Sequence, residues 1–233
     1  LRLGYTMADS PLAGAYPLVG VPGVSLAVAL IGQGLAWWLQ RLSWRRGTAL
    51  FACTALVVLA GSAGTLVGPG AQTGSVQVGW VQGGAPGGGV YGLGPARTIT
   101  KNQLAQTIRL ADQVDAGTLP RPDFVVWPEN STDADPFADA ETGQLVRSAV
   151  TRLNTPLLVG AILSGPGAGE RQTASLWWDP TRQVSATYIK RGIVPFGEWV
   201  PMRDVLLPLI PELAYVGDQS VPGDRPGVLD VQL

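Results

Sequence analysis

Two long uncharged segments near the N-terminus constrain the folding of this 233-residue chain more than any other feature. Residues 23–40 carry no charged side chain and end in Trp37 and Trp38, whose rings favour the interface between membrane and water. Residues 49–67 are also free of charge. Because about 20 apolar residues are enough to cross a bilayer, the sequence predicts a transmembrane segment, residues 1–70, that contains two spanning helices.

The composition and the connector between these segments support a membrane hairpin. Only 14% of the residues are charged and the mean hydropathy is +0.21, which is apolar for a soluble protein. Residues 41–47 contain Arg41, Arg45 and Arg46 and no acidic residue. Short loops rich in Lys and Arg stay in the cytoplasm, so both outer ends of the hairpin are predicted to face away from it. A pair of buried core helices in a soluble protein is the alternative.

Residues 71–233 have the pattern of an α/β domain. Short apolar or alternating segments indicate strands, and two longer segments have apolar residues at helical spacing. The predicted strands cover residues 75–83, 124–127, 156–163, 174–179 and 184–192, and the predicted helices cover residues 98–114 and 142–153. Strands and helices alternate at first, and strands then follow one another. This order predicts a layered α/β sandwich.

The rare residue types exclude several kinds of site. The chain has no His, so it cannot by itself form a His-ligated metal site, a Ser-His-Asp triad or a Cys-His pair. Its single cysteine, Cys53, excludes an internal disulfide and lies in an apolar span, where a thiolate is poorly stabilised. The pI of about 5.4 gives no electrostatic footprint for nucleic acid. We therefore expect no metal, no cofactor and no nucleic-acid partner, and we do not expect Cys53 to be a nucleophile.

Two charged residues stand at the ends of apolar strands in the second domain. In "FVVWPEN" we expect Pro128 to end the strand and to place Glu129 in a loop, where its carboxylate could act as a general base. In "TYIKRGIVPFGEWVP", Lys190 stands in an apolar strand shortly before Glu198. A partly buried Lys can stabilise an oxyanion. Taken alone, such residues are more often solvated surface groups.

Three segments of the sequence resemble the apolipoprotein N-acyltransferase family, the membrane-anchored branch of the carbon-nitrogen hydrolase (nitrilase) superfamily. They are "GYTMADSPLAGAYPLVGVPGVS" (4–25), "VVWPEN" (125–130) and "YIKRGIVPFGEWVP" (188–201). The resemblance covers nearly the whole chain. It implies a transmembrane helical segment followed by an extracytoplasmic nitrilase-like α-β-β-α sandwich over residues 71–233, incomplete at its C-terminus.

The resemblance also implies roles for three residues. Glu129 matches the general base of the family, Lys190 matches its catalytic lysine, and Glu198 matches its second glutamate. The nucleophilic cysteine that the family places downstream of the lysine is absent from this sequence. We expect the chain to be truncated just before that cysteine, and we expect these 233 residues alone to be inactive.

The activity implied for the full-length protein is acyl transfer through a cysteine thioester. A membrane phospholipid would be the acyl donor, and the N-terminal amine of a diacylglyceryl-modified lipoprotein would be the acceptor. The implied location is the bacterial cell membrane, with several spans and the catalytic domain on the extracytoplasmic side.

Two other functions stay open from the residues. One is a membrane-tethered amidase or nitrilase-type hydrolase, and the other is a binding module that kept the fold without catalysis. The Gly-rich loop, residues 83–94, falls where the family has a mobile arm, which suggests a gate for lipid entry with Tyr91 as a contact; a plain connector is the other interpretation.

Overall fold

The computed structural model describes residues 3–40, 42–64, 74–87, 94–181 and 183–231. The chain divides into two compact units, Leu1–Gly74 and Ser75–Leu233. The described part of the first unit is helical, and the second unit combines a sheet with helices. The predicted α/β class, with apolar helices ahead of a sheet, is therefore confirmed.

The first unit consists mainly of two long helices, α1 (Tyr16–Leu39) and α2 (Trp44–Gly64). Two 3-10 turns, Leu3–Met7 and Pro11–Ala15, precede them. Both helices are long and apolar enough to cross a membrane. In the most apolar 18-residue stretch of each helix, only 6% and 11% is buried. A core helix of a soluble protein buries a whole face, so the alternative of two buried core helices is not supported. Residues 65–67 of the second predicted span lie outside the described residues.

Glycines shape the first unit at a kink and at a close contact. Gly20 has φ 62° and ψ −178° inside α1, a conformation open to glycine, and the kink there separates the predicted span 23–40 from the first residues of the helix. At the end of α2, a Cβ on Gly64 would lie 2.0 Å from the carbonyl oxygen of Gly14. The second 3-10 turn therefore packs directly on the backbone of α2.

The second unit is built on a six-stranded sheet. Its strands are β1 (Val78–Trp80), β2 (Phe124–Thr132), β3 (Leu157–Ser164), β4 (Glu170–Trp178), β5 (Val184–Ile189) and β6 (Gln219–Ser220), and its helices are α3 (Thr98–Asp115), α4 (Ala140–Leu153) and α5 (Arg203–Leu206). The strand order is β1-β2-β3-β4-β5, with β6 paired to β4. β1, β2 and β3 are parallel, which requires the crossover helices α3 and α4, whereas β3, β4 and β5 are antiparallel.

One face of the sheet forms the hydrophobic core with α3 and α4. Every second side chain of the inner strands is fully buried on this face, as the two-residue period of a strand requires. The indole N–H of Trp127 in β2 donates a hydrogen bond of 2.9 Å to the hydroxyl of Thr107 in α3. The core side chains include Val125, Trp127, Val146, Val150, Leu157, Val159 and Leu176.

Asp139 holds the beginning of α4. Its carboxylate accepts the backbone N–H of Thr142 at 2.8 Å and pairs with the guanidinium of Arg97, the residue before α3. The hydrogen bond from Arg97, together with the backbone N–H of Thr142, holds the pKa of Asp139 well below its usual range. The two crossover helices are thus fixed to each other where they begin.

The opposite face of the sheet is more open in the described part of the chain. Trp80 of β1 is 76% exposed, and its neighbour in the sheet is Val126 of β2. The described residues contain this one sheet with its helices, so the second sheet of the predicted α-β-β-α sandwich is not among them.

Candidate active site

The side chain of Lys190 contacts both of the other predicted site residues, so the three form one cluster. Its ammonium nitrogen lies 2.7 Å from Oε1 of Glu129 and 3.0 Å from each carboxylate oxygen of Glu198. The exposed fraction of the side chain is 56% for Glu129, 26% for Lys190 and 13% for Glu198. The most accessible carboxylate is therefore the one predicted to be the base, and the most buried one anchors the lysine.

An irregular stretch inside β2 presents Glu129. Trp127 pairs with Val159 and Thr132 pairs with Ala161, so residues 128–131 all face Gly160 alone. The extra residues push the chain out of the sheet, as in a β-bulge. The expectation that Pro128 ends the strand was wrong, because pairing resumes at Thr132 and the strand continues to that residue.

Gly160 allows this stretch to lie against β3. A Cβ at this position would be 2.2 Å from the carbonyl oxygen of Pro128 and 2.7 Å from Cα of Glu129. The hydroxyl of Ser131 also donates a hydrogen bond of 2.8 Å to the Gly160 carbonyl. Glycine inside a strand often marks such a close approach of backbones.

Lys190 is fixed through its backbone just after β5, which ends at Ile189 rather than continuing to residue 192 as predicted. Its N–H donates to the carbonyl of Thr173 at 2.8 Å, and its carbonyl accepts the N–H of Gly223 at 2.9 Å. The first bond attaches the lysine to β4 and the second attaches it to the segment after β6, and its side chain reaches Glu129.

A tight turn between Lys190 and Glu198 folds the second glutamate back onto the lysine. The N–H of Val194 donates to Oε2 of Glu198 at 2.7 Å, and the N–H of Glu198 donates to the carbonyl of Val194 at 2.9 Å. Phe196, in the middle of this turn, has φ 63°. The turn therefore gives Oε2 of Glu198 a backbone hydrogen-bond donor in addition to the Lys190 ammonium.

The residues of β6 form hydrogen bonds with the segment that carries Glu198. The N–H of Ser220 donates to the carbonyl of Glu198 at 2.8 Å, and the side-chain oxygen of Gln219 accepts the N–H of Val200 at 2.7 Å. Sequence reasoning missed Gln219 and Gly160. A glycine inside the apolar run "LLVGAIL" is a signal for a close contact, whereas no local pattern marks Gln219.

The electrostatics of the cluster favour its charged form. Burial would lower the pKa of Lys190, but its hydrogen bonds to Glu129 and Glu198 outweigh this effect and the pKa is raised. Burial would raise the pKa of Glu198, but the Val194 N–H and the Lys190 ammonium reverse the sign and the pKa is lowered. Both groups are therefore charged at neutral pH.

A cavity of about 360 Å³ opens beside the cluster on the more exposed face of the sheet. Its wall includes Glu129 and Lys190, and most of the remainder is apolar, with Val126, Leu158 and Tyr188 among its side chains. A mostly apolar cavity with a few convergent polar groups is typical of a ligand site.

Other sequence expectations fall outside this cluster. Cys53 is exposed on α2, in the first unit. Within the described residues, no group of three or more His, Cys, Asp or Glu side chains could hold a metal ion. Tyr91 lies outside the described residues, as do residues 88–93 of the Gly-rich loop.

Several known proteins are similar to nearly the whole chain. Apolipoprotein N-acyltransferase from Mycolicibacterium smegmatis is 32% identical over 255 residues, which covers 97% of this chain and 41% of that protein. The chain is a homologue of the apolipoprotein N-acyltransferases. The proteins of that name from Photobacterium profundum and Azotobacter vinelandii are 28% and 30% identical over 91% and 90% of the chain, and each alignment covers 40% of the relative. The chain thus spans about two fifths of the length of these acyltransferases.

Solved structures are only distantly similar to the chain. An amidase of the nitrilase superfamily from Nesterenkonia has a TM-score of 0.40 at 13% identity and covers 66% of this chain and 51% of its own. A carbon-nitrogen hydrolase from Helicobacter pylori has a TM-score of 0.40 at 14% identity and covers 64% of this chain and 45% of its own. No family model matches the chain.

Proposed function

We propose that this chain is the part of a membrane-bound apolipoprotein N-acyltransferase that carries its base and its lysine. The observation that carries the proposal is the Lys190 ammonium held between Glu129 and Glu198 beside an apolar cavity, in a homologue of these enzymes. The full-length enzyme would transfer an acyl chain from a phospholipid to the N-terminal amine of a diacylated lipoprotein. The nucleophilic cysteine would come from the part of the enzyme that this sequence does not span.

In the first half of this reaction, Glu129 accepts the proton of the cysteine thiol, and the thiolate attacks the ester carbonyl of the phospholipid. The Lys190 ammonium stabilises the oxyanion that forms. Collapse of this intermediate breaks the ester bond, and the leaving lysophospholipid oxygen takes the proton back from Glu129. An acyl-thioester remains on the enzyme.

In the second half, the lipoprotein amine attacks the thioester carbonyl. Glu129 accepts a proton from the amine, Lys190 again stabilises the oxyanion, and the leaving thiolate takes that proton back from Glu129. Glu198 acts through Lys190, because it holds the ammonium with both carboxylate oxygens and is itself 13% exposed. No step calls for a metal or a cofactor.

A lipid substrate is supported by the surface that follows Lys190 along the chain. Several large apolar side chains between the lysine and the 3-10 turn Pro211–Val216 are more than half exposed, and exposed apolar clusters mark lipid or protein contacts. They are Val194 (52%), Phe196 (53%), Met202 (71%), Val205 (61%) and Leu209 (72%).

We further propose that α1 and α2 span the bacterial cell membrane and that the second unit lies on the extracytoplasmic side. The arginine-rich connector between the helices supports this orientation through the positive-inside rule. The proposed domain limits are residues 1–70 for the membrane segment and 71–233 for the nitrilase-like part.

The test is acyl-thioester formation by the full-length protein with a phospholipid that carries a labelled acyl chain. Glu129→Gln and Lys190→Ala should abolish hydroxylamine-sensitive label on the protein while membrane insertion is unchanged. Glu141→Gln and Lys101→Ala are matched controls, because they remove a Glu-Lys pair of 2.9 Å on the surface of the same unit. Label that persists at the wild-type rate in the Glu129 or Lys190 variant would contradict the assignment.

The same assay separates the two alternatives. A hydrolase would release free fatty acid even when a lipopeptide amine is present, and removal of residues 1–70 would leave its activity on a soluble amide. A binding module would form no thioester at all. The homology to named acyltransferases favours transfer to the amine over both alternatives.

A further inference from the structure

The turn between α1 and α2 carries positive charge that the first unit does not balance. Arg45 and Arg46 lie in the first turn of α2, and the sequence contains no Asp or Glu between Asp9 and Asp112. Asp9 precedes α1, and the part of α1 after the kink at Gly20, residues 21–39, extends about 28 Å at 1.5 Å per residue. In the described part of the chain, neither guanidinium lies within ion-pair distance of a carboxylate.

The side chains around these arginines are arranged for a membrane interface. The guanidinium carbon of Arg46 lies 4.6 Å from the centre of the Trp37 ring, and one of its nitrogens donates to the Trp37 carbonyl at 3.4 Å. This stacking fixes the guanidinium beside an interfacial ring and leaves further N–H donors free. Trp44 and Leu42 are 78% and 70% exposed at the same turn.

We propose that Arg45 and Arg46, flanked by Trp37 and Trp44, form a binding site for the headgroups of anionic phospholipids. The proposal rests on the proposed placement of α1 and α2 across the membrane. Indole rings settle at the level of the headgroups, and a planar guanidinium binds phosphate oxygens in a bidentate manner. The exposed rings and Leu42 need an apolar environment next to the phosphate, so the partner is a lipid rather than free phosphate.

The site would anchor the hairpin of α1 and α2 to the membrane surface on the side where Arg45 and Arg46 lie. An Arg close to an anionic membrane surface contributes about a fivefold gain in association, the factor that corresponds to about 1 kcal/mol. Two arginines with no internal counter-charge would therefore give the chain a marked preference for anionic over zwitterionic lipid.

Spin-labelled lipids provide the test with the full-length protein in phosphatidylcholine vesicles. The fraction of immobilised spin-labelled phosphatidylglycerol, relative to spin-labelled phosphatidylcholine, measures the preference. We expect Arg45→Gln and Arg46→Gln each to lower it about fivefold, and we expect 1 M salt to weaken it in the wild type. The control pair Arg109→Gln and Arg147→Gln removes the same charge from the surfaces of α3 and α4, and should leave the preference unchanged.

The outcomes separate this site from the proposed catalytic function. A double Arg45/Arg46 variant that inserts normally, as judged by resistance to carbonate extraction, and keeps the wild-type preference would overturn the proposal. An equal loss in the control pair would overturn it as well, because net charge would then be the cause. The measurement requires no acyl transfer, so a Glu129→Gln protein without thioester should still prefer phosphatidylglycerol.

Discussion

Replacement of Gly160 by alanine tests how the sheet presents the candidate base. The new Cβ would lie 2.2 Å from the Pro128 carbonyl oxygen, whereas real Cβ contacts are essentially never shorter than 3.0 Å. The backbone of β2 must therefore move by at least about 0.8 Å. Overpacking of this kind costs about 1–3 kcal/mol.

The displacement acts directly on the site. Glu129 follows Pro128, and its hydrogen bond to Lys190 is 2.7 Å long, so a shift of this size away from β3 stretches the contact beyond hydrogen-bond distance. We expect Gly160→Ala to lower the free energy of unfolding by about 2 kcal/mol. For a unit of this size the melting temperature should fall by about 6 °C.

The assay combines thermal unfolding in detergent with hydrogen exchange. Peptides that cover residues 125–132 should exchange faster in Gly160→Ala, and the full-length protein should form less acyl-thioester. Gly192→Ala is the matched control, because a Cβ there has no atom within 4 Å and this glycine lies two residues after Lys190. A melting temperature for Gly160→Ala within about 1 °C of the control, with unchanged exchange, would refute the close-contact argument.

Three further predictions concern the residues that support the cluster and the helices. Gln219→Leu removes the acceptor of the Val200 N–H and should slow thioester formation about tenfold with little change in lipid KM, while Gln219→Glu, which keeps the oxygen, should restore the rate. The folded-state pKa of Glu198 is below its ordinary value of 4.5, so the contribution of this carboxylate to stability is present above pH 4.5 and is lost as the pH falls. The difference in unfolding free energy between wild type and Glu198→Gln should therefore shrink below that pH. Asp139→Ala should lower the melting temperature because it removes both the cap of α4 and the Arg97 pair, and Asp139→Asn, which keeps the cap, should lower it less.

The sequence predicted the outline of the fold because its patterns are local. The uncharged runs indicated α1 and α2, and helical spacing placed α3 and α4 to within about two residues at each end. The beginning of β4 was missed because Glu170–Thr173 contains two charged residues, two uncharged polar residues and no apolar one, yet Arg171, Gln172 and Thr173 pair with β3. Pairing with a neighbouring strand overrides the preference of single residues.

The site was predictable only in part for the same reason. Motifs marked Glu129, Lys190 and Glu198, and the structure brings all three together. The long stretch of β2 opposite Gly160 depends on the register between two strands, which no segment of sequence contains by itself. The role of Gln219 depends on contact between segments 19 residues apart.

The total charge of Glu129, Lys190 and Glu198 changes during the proposed reaction. At rest the cluster holds two carboxylates and one ammonium, so it carries a charge of −1. When Glu129 accepts a proton the cluster becomes neutral, and Lys190 is then opposed by Glu198 alone. The N–H of the ammonium that faced Glu129 would then be available to the oxyanion. In the proposed mechanism, proton uptake by Glu129 would therefore leave more of the positive charge of Lys190 for the oxyanion.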